Sequence, residues 1–296
     1  MASEWEARFS EEVVRRHTPA RESSLLECGN CGLQFFDPPA GGDSDFYREL
    51  GESPKYYNPW KWEFDWVMER LSPSLSVLDV GCGRGDFLAR IAPLVRRAAG
   101  VDKNPAAADA ARARGLEVFE RDMAEFSLEY AGAFDAACAF HVLEHIGEPR
   151  AFLACILRCL RPGGSVFLSM PNRLRAAREP LEPLDCPPHH LSRWSPAQLR
   201  ELGEVTGIKI VEHACEPVEA VVPREFLREK VKRIAGRIPL AGDFIGIWAG
   251  RGVTRILFPP FLCTFYRKTG LLERIGYFGL SMVACYVKPG GRDGGS

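Results

Sequence analysis

Short apolar runs alternate with longer amphipathic stretches through the middle of the chain. "SVLDV" (76–80) is a five-residue run that ends in a glycine-rich turn. "DFLARIAPLVRR" follows with apolar groups at helical spacing. Next come "AAGVD" (98–102), the alanine-rich "NPAAADAARARG" closed by Gly115, and "LEVFE" (116–120). "FDAACAF" (134–140) is a fourth run, "EPRAFLACILRCL" a helix ended by "RPGG", and "SVFLSMPN" a fifth run. In "SPAQLRELGEVTG", Ser195 suits an N-cap, Pro196 the first helical position and Gly207 the stop. "IKIVEHA" (208–214) and "GLSMVACYVKP" (279–289) complete seven strands. Strands alternating with helices require crossover connections. The predicted fold is therefore α/β, a mostly parallel sheet with helices on both faces in three layers.

The flanks differ. Residues 1–40 read as a polar leader carrying one C-x-x-C, and residues 41–75 are rich in aromatics, with Trp62, Trp66 and Leu71 spaced for a helix on a core. We expect residues 1–58 to be a leader and 59–290 the main domain, with a disordered tail at 291–296. The stretch 217–277 is too long for a loop. "PREFLREKVKRIAGR" within it places Phe226, Leu227, Val231 and Ile234 on one helical face, so a helical insertion covering the site is expected.

Composition narrows the class. Hydrophobic content of 46% with 26% charged residues is that of an ordinary soluble protein. A net charge of -1 supplies no global field for nucleic acid or an anionic membrane. The ten cysteines are scattered, several in apolar segments, which suits free thiols in a reducing, cytoplasmic setting. No signal-peptide pattern is seen, and Arg251, Arg255 and two prolines break the most apolar stretch, 244–266. That stretch and the basic helix raise peripheral membrane association and a hydrophobic or lipid-linked acceptor.

"VLDVGCGRGDF" carries the strongest chemistry. A strand delivers Asp79, then Gly81, Cys82, Gly83 and Gly85 turn into a helix whose N-terminus offers N–H groups to a ligand. Asp102, twenty-three residues after Asp79, ends the second strand, where a carboxylate can hold two ribose hydroxyls. "RDMAEF" (121–126), "FDAACAFHVLEHI", "LRPGGSVFLSMPN" and "GLSMVACYVKP" follow in order. Together these resemble class I S-adenosylmethionine-dependent methyltransferases over roughly residues 60–290. The resemblance implies a Rossmann-like sheet whose seventh strand is antiparallel and inserted between the fifth and sixth. It implies S-adenosyl-L-methionine as cofactor, with Asp79 and Gly81–Gly85 at its methionine end and Asp102 at its ribose. It also places Lys103, Asp122 and Met123 at the adenine, with Phe140 and His141 beside the transferred methyl. It makes Leu160–Gly164 a structural turn.

Alignment of a nucleophile with the methyl does most of the work in such a transfer, and a hydroxyl acceptor is helped by a base. His141, His145 and His190 are the candidate catalytic residues, with His189 able to reach the same rim. The acceptor expected is a small molecule or glycan, by O-methylation. A cofactor-binding protein without catalysis and a metal-assisted RNA 2′-O-methyltransferase are the alternatives. His141-Val-Leu-Glu144-His145 also spells H-x-x-E-H, an inverted zinc-peptidase pattern. That chemistry needs all three on one helix, whereas His141 falls at a strand end. Ubiquinone-pathway and small-RNA relatives carry E-x-x-E-H here and bind a divalent metal. The matching positions are His141, Glu144, His145 and His190, with His141 replacing the first Glu, and our expectation is that no metal binds. Cys28 and Cys31 are half of a four-ligand zinc ribbon, read as a remnant. Tyr56, Tyr57, Trp60 and Lys61 are expected to close over the cofactor.

Overall fold

The structure is a computed structural model that describes residues 23–52, 59–175, 183–216 and 279–290. The expected insertion at 217–277, the tail, Tyr56 and Tyr57 lie outside the described residues. The chain divides into two compact units: Met1–Pro171 with Pro180–Ala214 and Met282–Ser296, and Asn172–Glu179 with Cys215–Ser281. The site described below lies in the first.

Its centre is a seven-stranded sheet. In chain order the elements are β3 (Ser76–Val80), α3 (Asp86–Ile91), β4 (Arg97–Asp102), α4 (Pro105–Ala113), β5 (Glu117–Glu120), α5 (Met123–Glu129), β6 (Phe134–Phe140), α6 (Pro149–Cys159), β7 (Leu160–Pro171), α7 (Pro196–Thr206), β9 (Lys209–Cys215) and β10 (Ser281–Val287). Before them lie β1 (Ser24–Glu27), β2 (Gln34–Asp37), α1 (Ser44–Glu52) and α2 (Trp62–Met68), and β8 is the short Ser192–Arg193. The strand order is β5-β4-β3-β6-β7-β10-β9, and β3 pairs in parallel with both β4 and β6. Chain order reverses between β3 and β6, so their carboxyl ends open the crevice that ligands use in such sheets. Lys288 after β10 donates to Gly164 near the start of β7, and Asn172 after β7 donates to Leu280 before β10. The last strand is thus antiparallel and sits between β7 and β9, as the resemblance implied.

All five residues of β3 are buried. That is why its apolar residues, Val77, Leu78 and Val80, do not alternate with exposed polar ones; a strand covered on both faces has no solvent side. Phe64 of α2, Phe87 of α3 and Phe140 of β6 meet above the sheet, with ring centroids 4.6–5.1 Å apart. Phe64 and Val67 are the buried face of α2, while Trp62 and Trp66 pack beside it half-exposed.

Five local readings change. The helix after the glycine turn stops at Ile91, and "DMAEFSLE" forms a helix that its mixed pattern did not announce. "RPGG" belongs to β7: the register jumps from Phe134↔Leu160 to Ala136↔Ser165, so these residues bulge out of the ladder. Ser195 holds the N-cap position of α7, but its hydroxyl bonds the Gln198 side chain at 2.5 Å instead of capping. The leader contributes a hairpin. β1 and β2 pair antiparallel around the Cys28–Cys31 turn, and β2 pairs with β8.

Candidate active site

Above the carboxyl ends of β3, β4 and β6 lies a cavity of about 690 Å³, lined among others by Asp79, Gly81–Arg84, Asp102–Asn104, Asp122, Met123, Phe140–Val142, Glu144, His145, His189 and His190. It has two ends of different construction.

The first end is made of backbone. Gly81 N–H donates to Val101 O at 2.8 Å, which pins the glycine turn across β4. Gly81 has φ 68°, and a Cβ there would lie 2.6 Å from Val142 Cγ2. Both facts demand glycine. Asp102 Oδ2 accepts from Gly83 N–H and Oδ1 from Asn104 N–H, each at 2.8 Å. Each carboxylate oxygen keeps a second acceptor position for a ribose hydroxyl. Asp122 caps α5 by accepting from Ala124 N–H at 2.7 Å, with Met123 buried beside it. Lys103 lines the same cavity. Gly85 does not line it. Its φ is 76° and a Cβ would lie 2.5 Å from Leu116 Cδ1, so close packing on α4 and β5 is its reason. Burial, then the neighbouring Asp102 carboxylate, raise the Asp79 carboxyl to about 8.

The second end is made of side chains. His141, at φ 55°, is the one non-glycine residue in the left-handed region among the described residues. Its Nε2 is 2.9 Å from Glu63 Oε1, and its Nδ1 is 3.4 Å from Glu144 Oε1. Burial and Lys61 disfavour the imidazolium, but Glu144 and Glu63 outweigh them and raise the His141 pKa. Burial likewise works to raise Glu63, and the His141 hydrogen bond holds it below the usual carboxylate range. His145 Nδ1 donates to the carbonyl of His189 at 2.6 Å, and His189 Nδ1 to that of Leu184 at 2.8 Å. The neutral tautomers therefore carry their lone pairs on Nε2. Burial keeps both rings neutral, His189 with a pKa lowered to about 3. The His145, His189 and His190 rings lie 4.4–4.9 Å apart by centroid. The Leu191 N–H bond to Glu144 O, 2.8 Å, ties this segment to the Leu143–His145 turn.

The cavity thus gathers Asp79, Gly81, Cys82, Gly83, Asp102, Lys103, Asp122, Met123, Phe140, His141, Glu144, His145 and His190. Sequence reasoning missed Glu63 as a partner of His141. The available signal was an acid amid aromatics in "WKWEFDW".

The family model described as a methyltransferase domain matches residues 56–213, more than half of the chain. The chain belongs to the methyltransferase-domain family. It is of the class I S-adenosylmethionine-dependent type. It is 36% identical over 120 residues to a ubiquinone biosynthesis O-methyltransferase of Xanthomonas oryzae pv. oryzae, covering 38% of this chain and 50% of that protein. The corresponding protein of Xanthomonas axonopodis pv. citri is 35% identical over 127 residues, covering 40% and 52%. The chain spans about half the length of these curated relatives. A methyltransferase structure from Archaeoglobus fulgidus superposes with a TM-score of 0.50 at 16% identity, over 83% of this chain and all of that one, and shares the fold.

The methyltransferase cofactor fits the first end. The Asp102 carboxylate is already oriented by two N–H groups from the turns that would face it. The metal-ligand set implied by the resemblance fits less well, because both nitrogens of His141 approach carboxylates.

Proposed function

We propose that this methyltransferase transfers a methyl group to a hydroxyl oxygen of a small, largely apolar molecule. The observation that carries the proposal is the continuity of one cavity from Asp102 and Asp122 to the histidines. When bound, S-adenosyl-L-methionine supplies a methyl group on a cationic sulfur. Asp102 would hold its ribose, Lys103, Asp122 and Met123 its adenine, and Asp79 with Gly81–Gly83 its methionine end. Phe140 and the Gly81 turn fix the floor, so an acceptor has one direction of approach.

At the other end Ile146, Phe152, Pro171 and Leu184 supply apolar wall beside Tyr47, His145, His189 and His190. That lining suits a flat apolar molecule with a hydroxyl better than a glycan, which would need more polar partners. The Xanthomonas relatives' names, ubiquinone biosynthesis O-methyltransferase, support an oxygen acceptor. The acceptor proton would leave toward His145 and His190. His141 serves instead to hold Glu63 and Glu144 in place, since both its nitrogens are engaged. No helix among the described residues is long and apolar enough to cross a membrane. We place the reaction in the cytoplasm.

Calorimetry with S-adenosyl-L-methionine, followed by labelled-methyl transfer to a panel of hydroxylated aromatics, tests the reading. Cofactor binding and label on an ether oxygen are expected. No binding at millimolar cofactor would sink it.

A further inference from the structure

We propose that Cys28 and Cys31 form a thiol–disulfide exchange site, a dithiol that a small-molecule disulfide oxidises and a small thiol reduces. Its state is coupled to the segment that carries His189 and His190. Neither part rests on the methyltransferase reading.

The loop between β1 and β2 brings the two sulfurs together. Gly32 N–H donates to Cys28 O at 2.8 Å and Cys28 N–H to Leu33 O at 2.9 Å, which closes the loop. Gly32 takes φ 67°, the left-handed conformation that the closure needs. Within the loop the Cys28 sulfur accepts from the backbone N–H groups of Cys31 and Asn30 and from the Cys31 thiol. The Cys31 sulfur accepts from Leu33 N–H. Gly29 and Asn30 at the tip are exposed and both cysteines are half-buried, so a small disulfide can reach them.

The two thiols are unlike. The Cys31 and Asn30 N–H groups, with the Cys31 thiol, hold the Cys28 thiol below its ordinary value. Burial pushes the Cys31 thiol up, against the Leu33 N–H. The Glu201 carboxylate of α7 opposes ionisation of both. A thiolate stabilised by N–H groups is the attacking species in exchange, and the neighbouring thiol resolves the intermediate. Cys82, Cys138, Cys159, Cys186 and Cys285 are buried, and burial raises each of them.

A disulfide of the glutathione type is the oxidant. The Cys28 thiolate, its proton given to solvent, attacks one sulfur of that disulfide. The S–S bond breaks and the first thiolate leaves. The Cys31 thiol then gives its proton to solvent as its sulfur attacks Cys28 in the mixed disulfide, and the second thiolate leaves. Both leaving groups take up protons. The protein loses two hydrogens with two electrons, and the oxidant becomes two thiols. In a reducing compartment such a disulfide is transient.

The loop is tied to the cavity wall. Cys31 O accepts from Gln198 Nε2 at 2.7 Å, and Gln198 Oε1 accepts from Ser195 Oγ. β2 leaves the loop and pairs with β8, Gln34 against Arg193 and Phe35 against Ser192. Phe36 N–H donates to Leu191 O at 3.0 Å, directly after His190. Closing an S–S bond sets the two Cβ atoms about 3.8 Å apart. The Cys31 carbonyl then shifts under Gln198, and the ladder passes the change to residues 191–193.

The test uses the full chain, equilibrated in glutathione buffers of graded reduced-to-oxidised ratio, then acid-quenched, alkylated and mapped by mass spectrometry. A Cys28–Cys31 disulfide is expected at oxidising ratios, with return of both thiols at reducing ones. Cys31→Ser should stop at a glutathione adduct on Cys28. Cys28→Ser should form no disulfide in the loop, and Cys155→Ser should behave as wild type. The imidazole NMR signals of His189 and His190 should shift between reduced and oxidised wild type and stay still in Cys28→Ser. The wild-type cycle needs no variant, so a misfolded substitution cannot decide it. The exchange site is overturned if no Cys28–Cys31 disulfide forms at any ratio, or if the adduct forms on Cys31 in place of Cys28. Zn²⁺ retained by the purified chain and lost in Cys28→Ser would also overturn it. A disulfide that forms while the imidazole signals stay still overturns the coupling.

Discussion

The two ends of the cavity hold their groups by different means. At the cofactor end, Gly81 and Asp102 come from consecutive strands, β3 and β4, and are fixed by backbone N–H groups. At the histidine end, Glu63 comes from α2, Glu144 from the turn after β6, and His189 and His190 from the segment before β8. They are held by each other. The first end is complete without a ligand. The second contains a buried carboxylate, Glu144, whose side-chain partner is His141 at 3.4 Å. Backbone scaffolding gives a site that tolerates neighbouring substitutions. Side-chain scaffolding gives one whose members depend on one another.

The largest expected effect is at the seam between the ends. Gly81→Ala places a methyl 2.6 Å from Val142 Cγ2 at φ 68°. The left-handed conformation costs about 1–2 kcal/mol and overpacking about 1–3. We expect a loss of about 2–5 kcal/mol in urea unfolding and weaker cofactor binding. Val142 adjoins His141, so the histidine end should be disturbed as well. A variant that loses neither stability nor affinity would show the seam to be soft.

Asp102→Asn separates the ends. An amide cannot accept from both Gly83 and Asn104, and hydrogen bonds to a charged group contribute about 1.5–3 kcal/mol. Cofactor affinity should fall roughly 10- to 150-fold by calorimetry, with the imidazole NMR signals of His145, His189 and His190 unchanged. A shift of those signals would mean the ends are one cooperative unit. Glu63→Gln is the reciprocal change. It leaves His141 with one carboxylate and should cost about 1–3 kcal/mol of stability, while cofactor affinity stays within about twofold. A large loss of cofactor affinity would contradict the division.

The same contrast explains what could be read from the chain. The glycine turn, Asp102 and the alternation of strands with helices were legible because each depends on local pattern: an apolar run, a turn residue, an acid at a strand tip. The inserted seventh strand came from the resemblance and is confirmed by the bonds at Gly164 and Lys288. Glu63 was not legible, since nothing local in "WKWEFDW" states that α2 folds against His141. The leader's pairing with β8 was hidden for the same reason. Two residues at 192–193 are too few to announce a strand, and their partner lies about 160 residues earlier. "RPGG" shows the reverse error, a strong turn signal absorbed as a bulge within a longer strand.

The smallest effect lies at the amino end of the central strand β6 and serves as a control for both ends. Asp135 accepts from Ser76 N–H at 2.7 Å and pairs with Arg161 and Arg96. Burial opposes its ionisation, but the Ser76 N–H and then Arg161 outweigh it and hold its pKa below the ordinary 3.8. A carboxyl depressed in the native state stabilises fully above the unfolded value, and that contribution is lost as pH falls through the native one. Asp135→Asn keeps an oxygen for Ser76 and removes only the charge. Both arginines are well exposed, so solvent screening limits the loss to about 0.5–1 kcal/mol at pH 7. The unfolding midpoints of wild type and variant should differ at pH 7 and converge as the pH falls below 3.8 and through the lowered native pKa. A gap that persists in acid would assign the effect to packing instead of charge. Cofactor affinity should be untouched, because the groups that would hold it lie at the carboxyl ends of the strands and Asp135 at the amino end of β6.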